Sequence, residues 1–258
     1  MTATIFTPTE RILGIPFYKG TAADCYQRLK HQGGLLTAPS GPGLATVFND
    51  QVYYQSVLQS DIVIPDSGYL VLLWNTFFGG QLKRLSGLEF INHFAEAFPR
   101  EGSQRLFLVN PTQSEQDANL RYLRSLGIHL TEDDCYIAPH YRSGAIVDKA
   151  LLAQLEAKRP QWVLINIGGG VQEVLGAWLK KRLSYSPALI CTGAAIAFKT
   201  GKQVAIPDWA DRAYLGWLFR IASDPRKYYK RYWEAVPLAK LLWTYQYGEN
   251  KSQLLNLE

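Results

Sequence analysis

The stretch WVLINIGGGVQE, residues 162–173, constrains the fold more than any other part of this chain. A short, almost unbroken apolar run is what a strand buried on both faces requires. Three glycines follow it directly, and helical spacing of apolar residues resumes over Val171 to Arg182. Strand, glycine turn and helix are thus packed into about twenty residues.

The same alternation recurs along most of the chain. Ile12 to Phe17 reads as a short strand, and Ala22 to Gln32 as a helix stopped by Gly33-Gly34. LLTAPSG (residues 35–41) reads as a strand and turn, residues 44–60 as one helix, and DIVIPDSG (residues 61–68) as a buried strand ending in a polar turn. Leu70 to Phe78 reads as a helix, residues 105–110 as a strand, Glu115 to Leu126 and Asp148 to Lys158 as helices, and residues 188–193 as a strand. Elements of these lengths in this order predict an α/β fold, Rossmann-like, with a mostly parallel sheet and helices on both faces. Ligands of such sheets bind beyond the carboxyl ends of the strands.

After Pro207 the pattern is helix only. A boundary near Ile206 is therefore expected, with residues 1–206 forming the α/β body and residues 207–258 a helical appendage. Between Arg212 and Lys240 stand seven cations and two anions, an excess of +5 that equals the formal charge of the whole chain. The rest balances to zero, which argues for one basic patch with a specific partner and against a general nucleic-acid surface. Cys25, Cys135 and Cys191 are odd in number and far apart, so neither a disulfide framework nor a metal cluster is expected. No window reaches the roughly 18 to 20 apolar residues of a membrane span. The first residues, MTATIFTPTERILG, lack the layout of a signal peptide, so a cytoplasmic protein is expected.

Three strand ends could carry chemistry: TAPSG with Thr37, IPDSG with Asp66, and GGGVQE with Gly168, Gly169, Gly170, Gln172 and Glu173. By residue type alone the first two are ordinary turns. The third lets a ligand approach the backbone closely and sets a helix N-terminus, which favours phosphate, beside it. It lacks the spacing of a dinucleotide fingerprint and the Lys-Ser/Thr of a phosphate-binding P-loop, so no cofactor is expected. His31, His93, His129 and His140 are scattered, and Asp133-Asp134 is only superficially a metal pair, so no metal is expected either.

In order along the chain, SDIVIPDS (60–67), KRLSG (83–87), GGGVQE (168–173), GAAIAFKTG (193–201) and IPDWADRAYLGWLFRIASDPRKYYKRY (206–232) resemble the motifs of the WecG/TagA/CpsF glycosyltransferases. The likeness runs from about Leu13 to about Trp233. Members move an N-acetylhexosamine-type sugar from a UDP carrier to a polyprenyl-diphosphate-linked acceptor in bacterial surface-polymer assembly. The resemblance implies that Asp66 is the general base, with Thr37 near the donor sugar. It implies that Arg84 and Gln172 contact the nucleotide sugar, with Gly168, Gly169, Gly170 and Glu173 also substrate-binding, and that appendage cations face the diphosphate. This chain departs from the family at Pro39, Ser67, Gly170-Val171 and Gly216, where Asn, Gly, Pro-Lys and Glu are usual.

Arg220, Lys227, Lys230 and Arg231 are the cations expected to bind the pyrophosphate. The aromatics around them, Trp217, Tyr228, Tyr229, Tyr232 and Trp233, suit the headgroup level of an anionic membrane surface. The expected location is then peripheral, on the inner face of the plasma membrane. A solvated helix pair packed on the body is the plainer reading of the same residues. The junction near Ile206 also suits packing across a subunit interface in a homo-oligomer. The competing functional class is a non-catalytic scaffold for lipid-linked intermediates.

Overall fold

The computed structural model describes residues 8–102, 104–193, 195–201 and 233–247. Eight strands form one sheet: β1(Thr9–Ile12), β2(Ile15–Tyr18), β3(Gly34–Thr37), β4(Ile62–Val63), β5(Leu106–Asn110), β6(Cys135–Ile137), β7(Trp162–Ile165) and β8(Ala188–Cys191). Their order is β1-β2-β4-β3-β8-β7-β5-β6, and every neighbouring pair except β1–β2 is parallel. The helices are α1(Ala22–Gln32), α2(Gly41–Ala45), α3(Gln51–Leu58), α4(Gly68–Phe77), α5(Gly87–Ala97), α6(Gln113–Ser125), α7(Lys149–Lys158), α8(Val171–Arg182), α9(Ala195–Lys199) and α10(Pro237–Tyr247). The expected α/β sheet is thus present.

Period-two alternation divides the core into two layers. On one face Leu36, Ile62, Leu108, Leu164 and Ile190 pack against α1, α5, α6 and α9. On the other, Leu35, Val63, Val109, Val163 and Leu189 pack against α3, α4, α7, α8 and α10. Both faces are covered, which is why the strands read as continuous apolar runs rather than as alternating ones.

Several boundaries follow the sequence closely. Thr21 caps α1 in a reciprocal box with Asp24, and Gly33, at φ +66°, ends the helix as expected. The helix over Val171 to Arg182 also stands as read. Two expectations need correction. The strand anticipated over Ile12 to Phe17 is the middle of a hairpin, because Leu13 and Gly14 take left-handed conformations and fold β1 back on β2. The single helix anticipated over 44–60 is broken at Thr46 and Asp50, and the carboxylate of Asp50 restarts it by accepting the Tyr53 N–H. Helices α5 and α9 and the edge strand β6 were not anticipated.

The expected boundary near Ile206 lies outside the described residues. What is described of the C-terminal region, residues 233–247, packs into the same core as the sheet. Ala235, Leu238, Leu242 and Tyr245 are buried, and the Gly14 N–H donates to the Tyr245 hydroxyl at 3.0 Å. Fully burying each of these leucines contributes about 2 kcal/mol. The three cysteines are free and buried.

Candidate active site

Strands β3 and β8 lie side by side at the centre of the sheet, yet the chain leaves β3 toward β4 and reaches β8 from β7 on the other side. Loops diverge there, and the carboxyl ends at such a switch point are where sheets of this kind open a ligand-binding crevice. Asp66 stands on one lip. The chain leaves β4 through Ile64 and the buried Pro65, and the Asp66 N–H closes a tight turn on the Ile64 carbonyl at 2.9 Å. The next residue, Ser67, caps α4 by accepting the Leu70 N–H.

Asp66 is only half-buried, and it is held from two sides. Its Oδ1 accepts the main-chain N–H of Gly87, the first residue of α5, at 2.9 Å. Its carbonyl accepts Nε–H of Arg84 at 2.9 Å. The second carboxylate oxygen takes part in neither bond. One oxygen therefore anchors the group while the other can receive a proton, which is the arrangement a general base needs.

Gly87 joins this lip to the other. A Cβ there would lie 3.0 Å from the Thr192 Cβ and 3.1 Å from the Thr192 carbonyl oxygen, so α5 begins tightly against the exit of β8 and any larger residue would make that exit give by a few tenths of an ångström. Beyond Thr192, the Gly193 N–H donates to Oε1 of Gln172 at 2.8 Å. The Gln172 amide N–H donates in turn to Oε1 of Glu173 at 3.1 Å, and Oε2 of Glu173 accepts the Gly170 N–H at 2.7 Å. A continuous path of contacts thus runs from Asp66 to the glycine turn.

The turn itself faces open space. Among the described residues no atom lies within 4 Å of a Cβ built on Gly168, Gly169 or Gly170. Gln172 and Glu173 lie behind it, with 2% and 1% of their surface exposed. Glu173 was expected among the substrate-binding residues, but its carboxylate is consumed by the turn and by Gln172, so it supports the site from beneath. Burial pushes its pKa up to about 7 against the opposing effect of those two bonds. Gln172 likewise has both ends of its amide engaged and acts first as a clamp between α8 and the β8 exit. Thr37 is also withdrawn. It is fully buried at the end of β3, and its hydroxyl donates to Ser60 at 2.9 Å rather than lining the crevice.

A profile of the glycosyl transferase WecG/TagA/CpsF family matches residues 10–252. The chain belongs to that family. Membership makes it a glycosyltransferase of cell-surface polysaccharide synthesis. No curated protein matches the chain.

Two departures from the family's motifs have visible consequences. Gly170 stands where the family carries proline. It sits at φ +87° and donates its N–H to Glu173, and proline can do neither. Ser67 stands where the family carries glycine, and it supplies the α4 cap that a glycine could not.

Further along the crevice, past β7, lies a polar cluster that sequence reasoning did not identify. Asn110, the last residue of β5, accepts through Oδ1 from Asn119 at 2.8 Å and from Asn166 at 3.3 Å, while its own amide nitrogen is buried without a partner. Separately, Asp148 caps α7 and accepts from the hydroxyls of Tyr136 and Tyr141 at 2.9 and 2.5 Å. Asparagines at strand ends are a usable sequence signal, because a polar residue closing an apolar run needs a reason. Asp134, half of the superficial metal pair, is a cap for Thr131. Among the described residues no three His, Cys, Asp or Glu side chains group as metal ligands. Arg220, Lys227, Lys230 and Arg231, expected at the pyrophosphate, lie outside the described residues, as do Gly216 and the aromatics from Trp217 to Tyr232. No helix among the described residues is long and apolar enough to cross a membrane.

Proposed function

We propose that the protein is an inverting, metal-independent glycosyltransferase that moves an N-acetylhexosamine-type sugar from a UDP-sugar to a polyprenyl-diphosphate-linked acceptor. The observation that carries this reading is the placement of Asp66 just beyond β4, with one carboxylate oxygen anchored on Gly87 and the other without a hydrogen bond among the described residues. In the proposed step that oxygen takes the proton of the acceptor hydroxyl. The hydroxyl oxygen bonds to the anomeric carbon from the face opposite the leaving group, the bond from that carbon to the UDP oxygen breaks, and UDP departs with the electron pair. A single displacement of this kind inverts the anomeric centre.

Charge accumulating on UDP needs donors. Arg84 is tied to the Asp66 carbonyl, so a guanidinium stands beside the base. The open glycine turn and the N-terminus of α8 offer main-chain N–H groups to a phosphate. Arg220, Lys227, Lys230 and Arg231 would complete the neutralisation, and the basic, aromatic C-terminal sequence would keep the enzyme at an anionic membrane surface, peripheral on the cytoplasmic side. Calorimetric titration with UDP in the presence of a chelator, against GDP and NAD, tests the donor half of this reading. Selective UDP binding is expected. If UDP binds no better than the controls, the scaffold reading takes its place.

A further inference from the structure

We propose that the outer faces of α4 and α10 form one surface that rests on the headgroup–acyl boundary of an anionic lipid bilayer. The body of the protein, and not its basic C-terminal stretch alone, would then orient the crevice. The proposal rests on the transferase reading only for the purpose of that contact, since a lipid-borne acceptor must meet Asp66.

Five of the ten large apolar side chains left exposed among the described residues lie on these two helices, and Trp233 and Val236 lie just ahead of the second. On α4, Leu72 is 53% and Phe77 60% exposed, with Tyr69 beside the helix start. On α10, Val236 just ahead of the helix, Trp243 (59%) and Tyr247 (58%) recur at helical spacing opposite the buried stripe of Leu238, Leu242 and Tyr245. Phe78 joins the two sets, stacked on Tyr247 at 5.9 Å and edge-on to Trp243 at 6.3 Å between ring centres. The helix α4 carries no charged residue, and α10 carries only Lys240. A surface meant for water alone is ordinarily interrupted by charges.

The chemistry of the rim selects the occupant. Tryptophan and tyrosine around leucine and phenylalanine are the composition of a bilayer interface. Arg226, Lys227, Lys230 and Arg231 end two residues before Trp233, so cations adjoin the apolar face in sequence, as anionic headgroups require. A second copy docked on the same face would bring two such basic runs toward one interface. The placement also fits the chemistry, because α4 starts directly after Asp66 and Ser67 and is about 15 Å long. A hydroxyl carried on a lipid that emerges along α4 arrives at the base.

The test uses the full chain and vesicles of phosphatidylcholine with phosphatidylglycerol. The wild type is expected to be retained at low salt and, in part, at high salt, because burial of apolar surface is not screened. The double variant Leu72→Ser/Phe77→Ser should partition roughly tenfold or more less strongly at both salts. Val52→Ser, on an exposed residue of α3, should leave partition unchanged. UDP titration and sedimentation of the same samples report whether the variant is folded and whether its oligomeric state has moved. Wild-type-like retention of the double variant, retention abolished by salt, or a variant that only changes oligomeric state would each overturn the proposal. Vesicle binding without UDP binding would sink the transferase reading and leave this surface standing.

Discussion

Oδ1 of Asp66 accepts the main-chain N–H of Gly87 at 2.9 Å, across a sequence separation of twenty-one residues. The bond fixes the carboxylate without neutralising it. Asparagine can keep the bond through its own side-chain oxygen but cannot take a proton. Asp66→Asn is therefore expected to lower turnover by about 10²- to 10⁴-fold. UDP affinity, measured by calorimetry, should change by less than about twofold, since Arg84 and the glycine turn are untouched. Unchanged turnover would remove Asp66 from the reaction.

A methyl group on Gly87 would press on Thr192, at 3.0 Å from its Cβ and 3.1 Å from its carbonyl oxygen. Gly87→Ala should push α5 away from the β8 exit and cost about 1 to 3 kcal/mol of stability. Because the displaced N–H is the anchor of Asp66, turnover should fall further than the lost stability accounts for. Thermal unfolding and steady-state kinetics on one preparation separate the two effects. Full activity together with a lowered Tm would show that the anchor is dispensable.

Glu173 makes stability depend on pH. Burial raises its pKa from the ordinary 4.5 to about 7 in the folded protein. Between those values the folded state holds a proton that the unfolded state has released, so stability must fall as pH rises through that window. A shift of this size corresponds to about 3 kcal/mol, present in full below pH 4.5 as relief from burying the charge and lost above pH 7. Glu173→Gln should flatten the difference between urea midpoints at pH 5 and pH 8. An unchanged pH dependence in the variant would assign it to other groups.

The Tyr245 hydroxyl accepts the Gly14 N–H inside the core, joining α10 to the turn of the β1–β2 hairpin. Tyr245→Phe leaves that buried N–H without this acceptor and should cost about 1 to 2 kcal/mol. Limited proteolysis should then cut ahead of α10 sooner than in the wild type, and a Tm equal to the wild type would refute the role.

How much of this was legible beforehand can be judged residue by residue. The alternation of apolar runs with helical spacing sufficed for the parallel sheet, and the stop signal at Gly33 and the span of α8 needed no tertiary information, because propensity and period act within one turn of chain. The ordered motifs also sufficed for the family. The hairpin at Leu13-Gly14 was hidden because a left-handed leucine carries no compositional mark. Glu173 and Thr37 look like site residues in one dimension, since polar groups at a strand exit or helix start are the usual ligands. Only the packing shows that they turn inward, toward the glycine turn and Ser60.

The sequence by itself determined the alternation of strand and helix that makes a parallel sheet, the span of α8 and the family. The tertiary structure alone decided which strand ends meet. Strand order β4-β3-β8-β7 brings Asp66 and Gly170, more than a hundred residues apart, to one crevice by way of Gly87, Thr192, Gly193 and Gln172. It also leaves the uncharged face of α4 outside and the Gln-Glu pair of α8 inside. Which side of an element is covered depends on what packs there from far along the chain, and local periodicity carries no record of that neighbour.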